Sequence, residues 1–356
     1  MVFLSQLGQR LRGDAWFCGA VLTYTLLALG YLFALGQTSQ LAYANYIGPA
    51  AFTFFGVMPA MAILFDFAYV IHRFNDRRLL AFKRTFSSRR LSAFAAGLVV
   101  LLAIPVFQGT FTSVKISFAS LYHGFPYDHL LADIDRFVHF GHAPWRYLYA
   151  VAEVPLVRTV VEINYNVFWH LICFGALFFV LTSPRGDRVR THYLIMFLLV
   201  WIGLGNVLAG LFLSAGPAFY GAVTGDHARF GELVAFLHQS DAVNSAAKFQ
   251  TYLWELHEAG RPGLGGGISA FPSVHVGLIT MNACFLGAWS RRWGIVAFAY
   301  VGFVLASSVY LGWHYAIDGY VSILLVVAAY HATRQLLQRT RAAEPAQCAS
   351  LVPVNA

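Results

Sequence analysis

Charged residues are scarce in this chain: they make up 11% of its 356 residues, and the mean hydropathy is +0.62. A soluble globular domain carries roughly a quarter charged residues, so this chain has too little polar surface to be one. Apolar runs of about 20 residues, long enough to cross a hydrocarbon core as helices, recur along it instead. The predicted fold class is therefore an all-α polytopic membrane protein.

Cysteine and acidic residues are also few. The spacing of the four cysteines suggests neither a metal site nor a disulfide framework, and no metal or other cofactor is expected. Sixteen acidic residues against 24 basic ones leave a net charge of +8. Such an excess could suggest nucleic-acid binding, but the arginines cluster in short loops between apolar runs, as in cytoplasmic loops of membrane proteins. Membrane lipids, and no nucleic acid, are the expected partners.

The apolar runs predict eight membrane spans. The loops after the second, fourth and sixth spans and the C-terminal tail are rich in arginine, which places them and both termini in the cytoplasm. Arg10 and Arg12 precede the first run, which lacks an obvious small-residue cleavage site and is interpreted as a retained anchor. The predicted spans are residues 15–35, 47–71, 92–111, 158–182, 193–213, 272–289, 294–313 and 315–333.

Four regions follow from these spans. Residues 1–111 form N-terminal transmembrane helices, and residues 112–157 form a non-cytoplasmic segment whose periodicity predicts an interfacial helix. Residues 158–333 form a transmembrane core that is the predicted catalytic part, and residues 334–356 form a cytoplasmic tail. The active site is expected on the non-cytoplasmic face.

The stretch SSVYLGWHYAIDGY, residues 307–320, places a histidine and a carboxylate at the start of the last span. His314 and Asp318 are four residues apart and would share one face of a helix. A carboxylate there can hold an imidazole in one tautomer and stabilise its protonated form. His275 begins the sixth span, and the span count places it at the same membrane face. Two such histidines suit phosphoryl transfer, with one attacking phosphorus and the other acting as general acid and base.

The sequence ISAFPSVHVG, residues 268–277, adds groups that suit a phosphate. Ser273 can donate a hydrogen bond to a phosphoryl oxygen at a helix N-terminus, which itself attracts anions. Upstream, Gly266 and Gly267 lie in the run GLGGG and let the backbone approach the same group. Two plainer interpretations stay open: Ser273 as a helix N-cap and the glycines as a flexible linker.

A polar cluster in the predicted interfacial segment also has two interpretations. Pairs of histidine and aspartate four residues apart could bind a metal, but a solvated helix face explains the same residues. The second interpretation is favoured, and no metal ligand is predicted. The cluster consists of Asp128, His129, Asp133, Asp135, His139 and His142.

The histidine motifs resemble those of the type 2 phosphatidic acid phosphatase superfamily. PSVH, residues 272–275, matches the family's Pro-Ser-Gly-His except at Val274. SSVYLGWHYAID, residues 307–318, matches its Ser-Arg-(x5)-His-(x3)-Asp except that Ser308 replaces the arginine. The resemblance implies a six-helix core and these roles: nucleophile His314, its partner Asp318, general acid His275, and phosphate-binding positions Ser273 and Ser308.

The family's first motif, Lys-(x6)-Arg-Pro, is incomplete. Arg261 and Pro262 are present, but Trp254 stands where the lysine should be, and SAGPAFY, residues 214–220, occupies the matching place at the end of a span. A site with fewer fixed cations suits a phosphodiester better than a dianionic phosphomonoester. The candidate replacement cations are Lys248, Arg229 and Arg261, and the candidate substrate-binding residues are Gly216, Pro217 and Tyr220.

These departures resemble the branch that contains inositol phosphorylceramide synthases and their bacterial relatives. That resemblance implies an integral-membrane lipid phosphotransferase that acts on a lipid phosphodiester through a phosphohistidine, with no metal. Two alternatives stay open: a lipid phosphate or polyprenyl diphosphate phosphatase, and a non-enzymatic transporter or scaffold. The compact, arginine-rich chain favours a bacterial inner membrane.

Overall fold

The structure, a computed structural model, describes residues 1–74, 76–240 and 242–350, with side chains through residue 340. The described residues form helices and turns, with no strand among them, so the predicted all-α class is confirmed. Seven of the described helices are long and apolar enough to cross a membrane, and an eighth, Val274–Trp289, is apolar but only 16 residues long. These eight helices correspond in order to the eight predicted spans.

The helices are numbered here in chain order. Short 3₁₀ turns lie at Gly186–Arg188 and Pro217–Phe219. The described helices are α1 Val2–Ala34, α2 Thr38–Arg73, α3 Arg78–Thr85, α4 Ser88–Tyr122, α5 Asp128–Val138, α6 Pro144–Ala152, α7 Pro155–Thr182, α8 Arg190–Leu211, α9 Tyr220–Thr224, α10 Gly231–Leu237, α11 Ala246–Glu258, α12 Val274–Trp289, α13 Arg291–Tyr310 and α14 Ala316–Ser350.

Three of the long helices contain a π-helical stretch. These stretches are Ala51–Val57 in α2, Asn164–Phe168 in α7 and Leu199–Leu208 in α8. A π-helical turn widens a helix locally and often marks a functional site. Each of the three stretches contributes residues to the wall of the cavity described below.

Helix α12 lies at the centre of the bundle. It packs against α7, α8, α13 and α14, while α4 packs against α1 and α2 on the side facing α8. Its sequence, VHVGLITMNACFLGAW, has apolar residues all round, as expected for a helix surrounded by other helices. Because α12 begins at the residue after Ser273, this packing places the predicted histidine motif inside the bundle.

Two bounds differ from the predicted regions. Helix α4 continues through Tyr122, so residues 112–122 extend a spanning helix, because the sequence TFTSVKISFASLY contains no helix-breaking proline or glycine. Helices α5 and α6 follow in the predicted interfacial segment. At the other end, α14 continues past residue 333 to Ser350, and residues 351–356 of the predicted tail lie outside the described residues.

Candidate active site

His314 and Asp318 meet at the beginning of α14. The imidazole Nδ1 lies 3.3 Å from Asp318 Oδ2, and both side chains are buried. His314 itself precedes the helix, because Asp318 Oδ2 also accepts the backbone N–H of Tyr315 at 3.0 Å and so caps the helix N-terminus. The predicted pairing is therefore present, although the two residues do not share a helix face. With Asp318 ionised, its carboxylate can only accept, so Nδ1 would carry the proton and Nε2 would keep its lone pair.

The pKa of the His314 imidazole lies below its ordinary value. Burial is the larger cause, and the nearby Lys115 ammonium adds to it. Both effects disfavour the protonated ring. His314 therefore remains neutral at pH 7, which is the form a nucleophile requires.

His275 lies in the first turn of α12, facing His314. The centroids of the two imidazole rings are 6.3 Å apart. Tyr165 stacks on His275 at 4.7 Å, and the Trp169 ring lies at 4.1 Å while its Nε1 donates to the His275 carbonyl at 3.0 Å. These two aromatic side chains hold the imidazole in place across the cavity from His314.

A backbone hydrogen bond joins the two histidine motifs: the Ser273 N–H donates to the Asp318 carbonyl at 3.3 Å. Within the second motif, the Ser308 carbonyl accepts from the His314 N–H at 3.4 Å. Ser273 Oγ accepts from the Val276 N–H at 3.3 Å, which is the N-cap arrangement, and the side chain is fully buried. Ser308 is also buried, and its hydroxyl donates to the Leu305 carbonyl. Neither hydroxyl lines the cavity between the histidines.

Two carboxylates of α5 support the same region from outside. Asp128 accepts from the N–H groups of Ala215 and Gly216 at 2.6 and 2.9 Å, and from the Tyr315 hydroxyl at 2.7 Å. Asp135 accepts from the Ile317 N–H at 3.1 Å. Burial raises the pKa of the Asp128 carboxyl, whereas these hydrogen bonds favour its anion.

The polar cluster is therefore only partly a solvated helix face. Asp128 and Asp135 are buried, while His129 and Asp133 are exposed. Within the part of the chain that the structure describes, no group of three histidine, cysteine, aspartate or glutamate side chains is arranged to hold a metal.

A cavity of about 460 Å³ lies between the two histidines and extends among the spanning helices. Its wall is mostly apolar and aromatic, with a few polar groups near the histidines, which is the usual character of a small-molecule site. Phe54, Phe174 and Trp201 form part of the wall from within α2, α7 and α8. An apolar chain attached to a phosphate would find matching surfaces there.

The glycine run lies against the cavity. Gly266 and Gly267 are among the lining residues. A Cβ at Gly267 would lie 2.9 Å from the Lys115 carbonyl carbon, and the residue has φ +83°, so a side chain there would clash and strain the backbone. The Gly265 N–H donates to the Tyr46 hydroxyl at 3.0 Å. The run is thus packed against α2 and α4, unlike a flexible linker.

Lys115 is a cavity residue that sequence reasoning missed. Its side chain lines the same cavity as His275 and His314. The available signal was a single lysine at the end of an apolar run, because ionisable residues in membrane helices are functional candidates by default. The predicted span ended at residue 111, which left this lysine in a loop.

The remaining predicted residues lie elsewhere. Gly216 and Pro217 lie beside the cavity, and their neighbours Ala215 and Phe219 line it in their place. The hydroxyl of Tyr220 bonds His129 and accepts from Arg229, which also pairs with Asp133 at 2.8 Å. Lys248 and Arg261 are exposed and do not line the cavity.

Comparison with known proteins identifies the family. A family model of the PAP2 superfamily matches residues 129–332, more than half of the chain, and this range includes His275, His314 and Asp318. No curated protein and no solved structure matches the chain. The chain belongs to the PAP2 superfamily and is an integral-membrane enzyme of the phosphatase type, as the resemblance at superfamily level predicted.

Proposed function

We propose that the chain is a lipid phosphotransferase that acts on a phosphodiester through a phosphohistidine at His314. The observation that carries the proposal is the pair of imidazoles facing each other across one cavity, 6.3 Å between ring centroids, with His314 held by Asp318. A phosphorus atom between two such rings can be attacked from one side while its leaving oxygen receives a proton from the other. The apolar wall supports a lipid as the donor.

The first step is attack by His314 Nε2 on the phosphorus of the donor. The bond from phosphorus to the lipid oxygen breaks, and His275 gives its proton to that departing oxygen. The headgroup phosphate is then bound to His314 through a P–N bond, and Asp318 stabilises the positive charge on the ring.

The second step reverses the roles. His275, now neutral, takes the proton of an acceptor hydroxyl, whose oxygen attacks the phosphorus while the P–N bond breaks. With a lipid or sugar alcohol as acceptor the reaction is a transfer, and with water it is a hydrolysis. An inositol phospholipid is the first donor to test, because the sequence motifs resemble the inositol phosphorylceramide synthase branch. The second candidate, a lipid phosphate or polyprenyl diphosphate phosphatase, uses the same two histidines but a more highly charged donor.

The same resemblance, together with the distribution of arginines, supports the remaining parts of the proposal. We place the active site on the non-cytoplasmic face, with the two termini in the cytoplasm, in a bacterial inner membrane. Eight spans agree with that orientation, since α12 makes their number even.

The decisive measurement is the intact mass of the purified protein after brief incubation with phosphatidylinositol and a quench in base, in which phosphohistidine survives. We expect an adduct with the mass of inositol phosphate. It should be absent from His314→Ala and present in His192→Ala, since His192 bonds Thr333 Oγ1 at 2.8 Å and does not line the cavity.

A parallel sample with phosphatidic acid separates the two candidate functions. A bare phosphate adduct from phosphatidic acid, with none from phosphatidylinositol, would replace the transferase by the phosphatase. An inositol phosphate adduct that persists in His314→Ala would overturn the assignment of the nucleophile.

A further inference from the structure

The cavity between the histidines contains a lysine, a side chain whose ordinary form at pH 7 is the ammonium cation. Among the described residues that line it, Lys115 is the only lysine, arginine, aspartate or glutamate. It lies within α4, a spanning helix, where an ionisable group is costly unless it has a partner or a function. This location calls for an anion in the cavity.

No carboxylate of the described residues supplies that anion. The described ion pairs involve Arg10, Arg90, Arg146, Arg190, Arg229, His139 and His314, and none of them includes Lys115. Asp318, the partner of the cavity residue His314, directs Oδ2 to His314 and Tyr315. The ammonium of Lys115 is therefore available to a ligand.

The surroundings of Lys115 fix its place relative to the reacting groups. Gly267 packs so closely on its backbone that a Cβ there would lie 2.9 Å from the Lys115 carbonyl carbon and 3.0 Å from its Cβ. Tyr46 ties the same glycine run to α4 through its hydroxyl, which lies 2.5 Å from Thr112 Oγ1 and accepts from Gly265. Lys115 and the glycine run therefore form one wall of the cavity, and both histidines line the same cavity.

We propose that Lys115 binds the phosphate of the substrate between His275 and His314, and that its single charge selects a phosphodiester over a phosphomonoester or diphosphate. The inference rests on the proposed function and deepens it by naming the cation. The proton of His275 leaves with the departing oxygen, so the lysine ammonium is the cation that stays beside the phosphate. It neutralises the single charge of a diester, whereas a dianion would leave net negative charge in an apolar cavity. The cation comes from α4, outside the family-matched residues 129–332, so it is not one of the family's motif residues.

The first test compares kcat and KM for phosphatidylinositol in three variants of the full chain in lipid nanodiscs. Lys115→Met should lower kcat/KM by about 10- to 100-fold, the effect of losing a charge-assisted hydrogen bond. Lys115→Arg should recover most of that loss because the charge is kept. Lys83→Met, the same change at an exposed lysine in α3 that does not line the cavity, should match the wild type.

The second test measures binding of inorganic phosphate, at a pH below the second pKa of phosphoric acid, where the ion carries a single charge like a diester. Binding is followed by the stabilisation of the protein against thermal unfolding, which requires no turnover. Phosphate should raise the Tm of the wild type and of Lys83→Met, and its apparent affinity should fall about 10- to 100-fold in Lys115→Met. Lysine-dependent phosphate binding without phosphatidylinositol turnover would keep the cation site and overturn the proposed donor.

Three other outcomes would overturn the inference. Lys115→Met could behave like the wild type in both assays, which would mean that the ammonium extends to water at the membrane surface. Equal losses in Lys115→Met and Lys115→Arg would assign the residue a structural role. Absence of both phosphate binding and turnover in the wild type would remove the inference and the proposed function together.

Discussion

Where α1 begins, guanidinium groups pair with carboxylates, whereas where α12 begins, cationic and titratable groups face a cavity. We call the first region, with Arg10, Asp14, Asp187 and Arg190, the arginine end. Arg190 donates to both oxygens of Asp14 at 2.8 and 2.5 Å, and Arg10 donates to both oxygens of Asp187 at 2.7 and 2.9 Å.

The second region, with Lys115, His275, His314 and Asp318, is the histidine end. There Asp318 Oδ1 is buried without a hydrogen-bond partner among the described residues, and Lys115 has no carboxylate partner among them. A closed set of charges holds helices together, and an open set is left for a ligand. The two regions therefore differ in whether each charged group has a partner of opposite charge among the described residues.

The largest effect should come from His314→Ala at the histidine end. Loss of the nucleophile should reduce turnover by about 10⁴-fold or more, while the Tm changes little because the ring lines the cavity. The matched change at the other end, His192→Ala, should leave turnover within a few-fold. Steady-state rates of the two purified variants check the comparison, and comparable losses in both would remove the distinction.

Arg190→Met should lower the stability of the protein and leave its activity nearly unchanged, which is the reverse of the effect of His314→Ala. Removing one partner of a buried pair leaves Asp14 uncompensated, a change that costs about 3–5 kcal/mol, so the Tm should fall by many degrees. The activity per folded molecule should stay near that of the wild type, since Arg190 does not line the cavity. The two measurements are the Tm from thermal unfolding and, on a separate folded sample, the activity at low temperature. A variant that is stable but inactive would place the arginine end in the reaction.

Asp128→Asn tests whether the buried carboxylate of Asp128 positions the residues of the histidine end. The amide can accept with one oxygen only, so at least one of the bonds from Ala215, Gly216 and Tyr315 should be lost, at a cost of about 1–3 kcal/mol. Because Tyr315 follows His314 directly, kcat should fall about 10- to 100-fold while KM changes less. Asp133→Asn, an exposed site on the same helix, serves as the control. Equal kinetics in the two variants would show that the buried carboxylate does not position the motif.

The smallest effect concerns pH. His314 faces Asp318, His275 and Lys115, and its pKa is lowered by burial and by Lys115, so the ring stays neutral well below its ordinary value of about 6.5. The acid limb of kcat/KM should therefore lie below pH ~6.5. Lys115→Met removes a repulsion of the protonated ring and should move that limb to higher pH. An acid limb above pH ~6.5 in the wild type, or a shift of the limb to lower pH in Lys115→Met, would contradict this account.

The sequence alone predicted the parts that depend on local pattern. The eight spans follow from the apolar runs. The pairing of His314 with Asp318 follows from their spacing of four residues, and the structure contains this pair although His314 precedes the helix. Placing His275 opposite His314 needed only the count of spans. Each of these features is written in a continuous stretch of chain.

The parts that depended on packing between distant segments could not be predicted. Lys115 and Tyr46 reach the glycine run from helices about 150 and 220 residues away along the chain. The direction of Asp128 toward Ala215 depends on how α5 lies on the bundle, which a polar helical pattern cannot tell from a solvated face. Serine at position 273 fits a phosphate ligand and an N-cap equally well by type, and only the structure shows its hydroxyl accepting from the Val276 N–H three residues along the chain.

The floor of the cavity lies within the membrane-spanning helices, along the π-helical stretches of α2, α7 and α8. In the proposed reaction, a donor that resides in the bilayer therefore binds with its phosphate at His314 and its apolar chains against the wall of the cavity. The quantity that then sets occupancy is the mole fraction of donor in the bilayer, and the volume of surrounding water is irrelevant. Diluting the donor with inert lipid would starve such an enzyme even when the amount of donor in the vessel is unchanged.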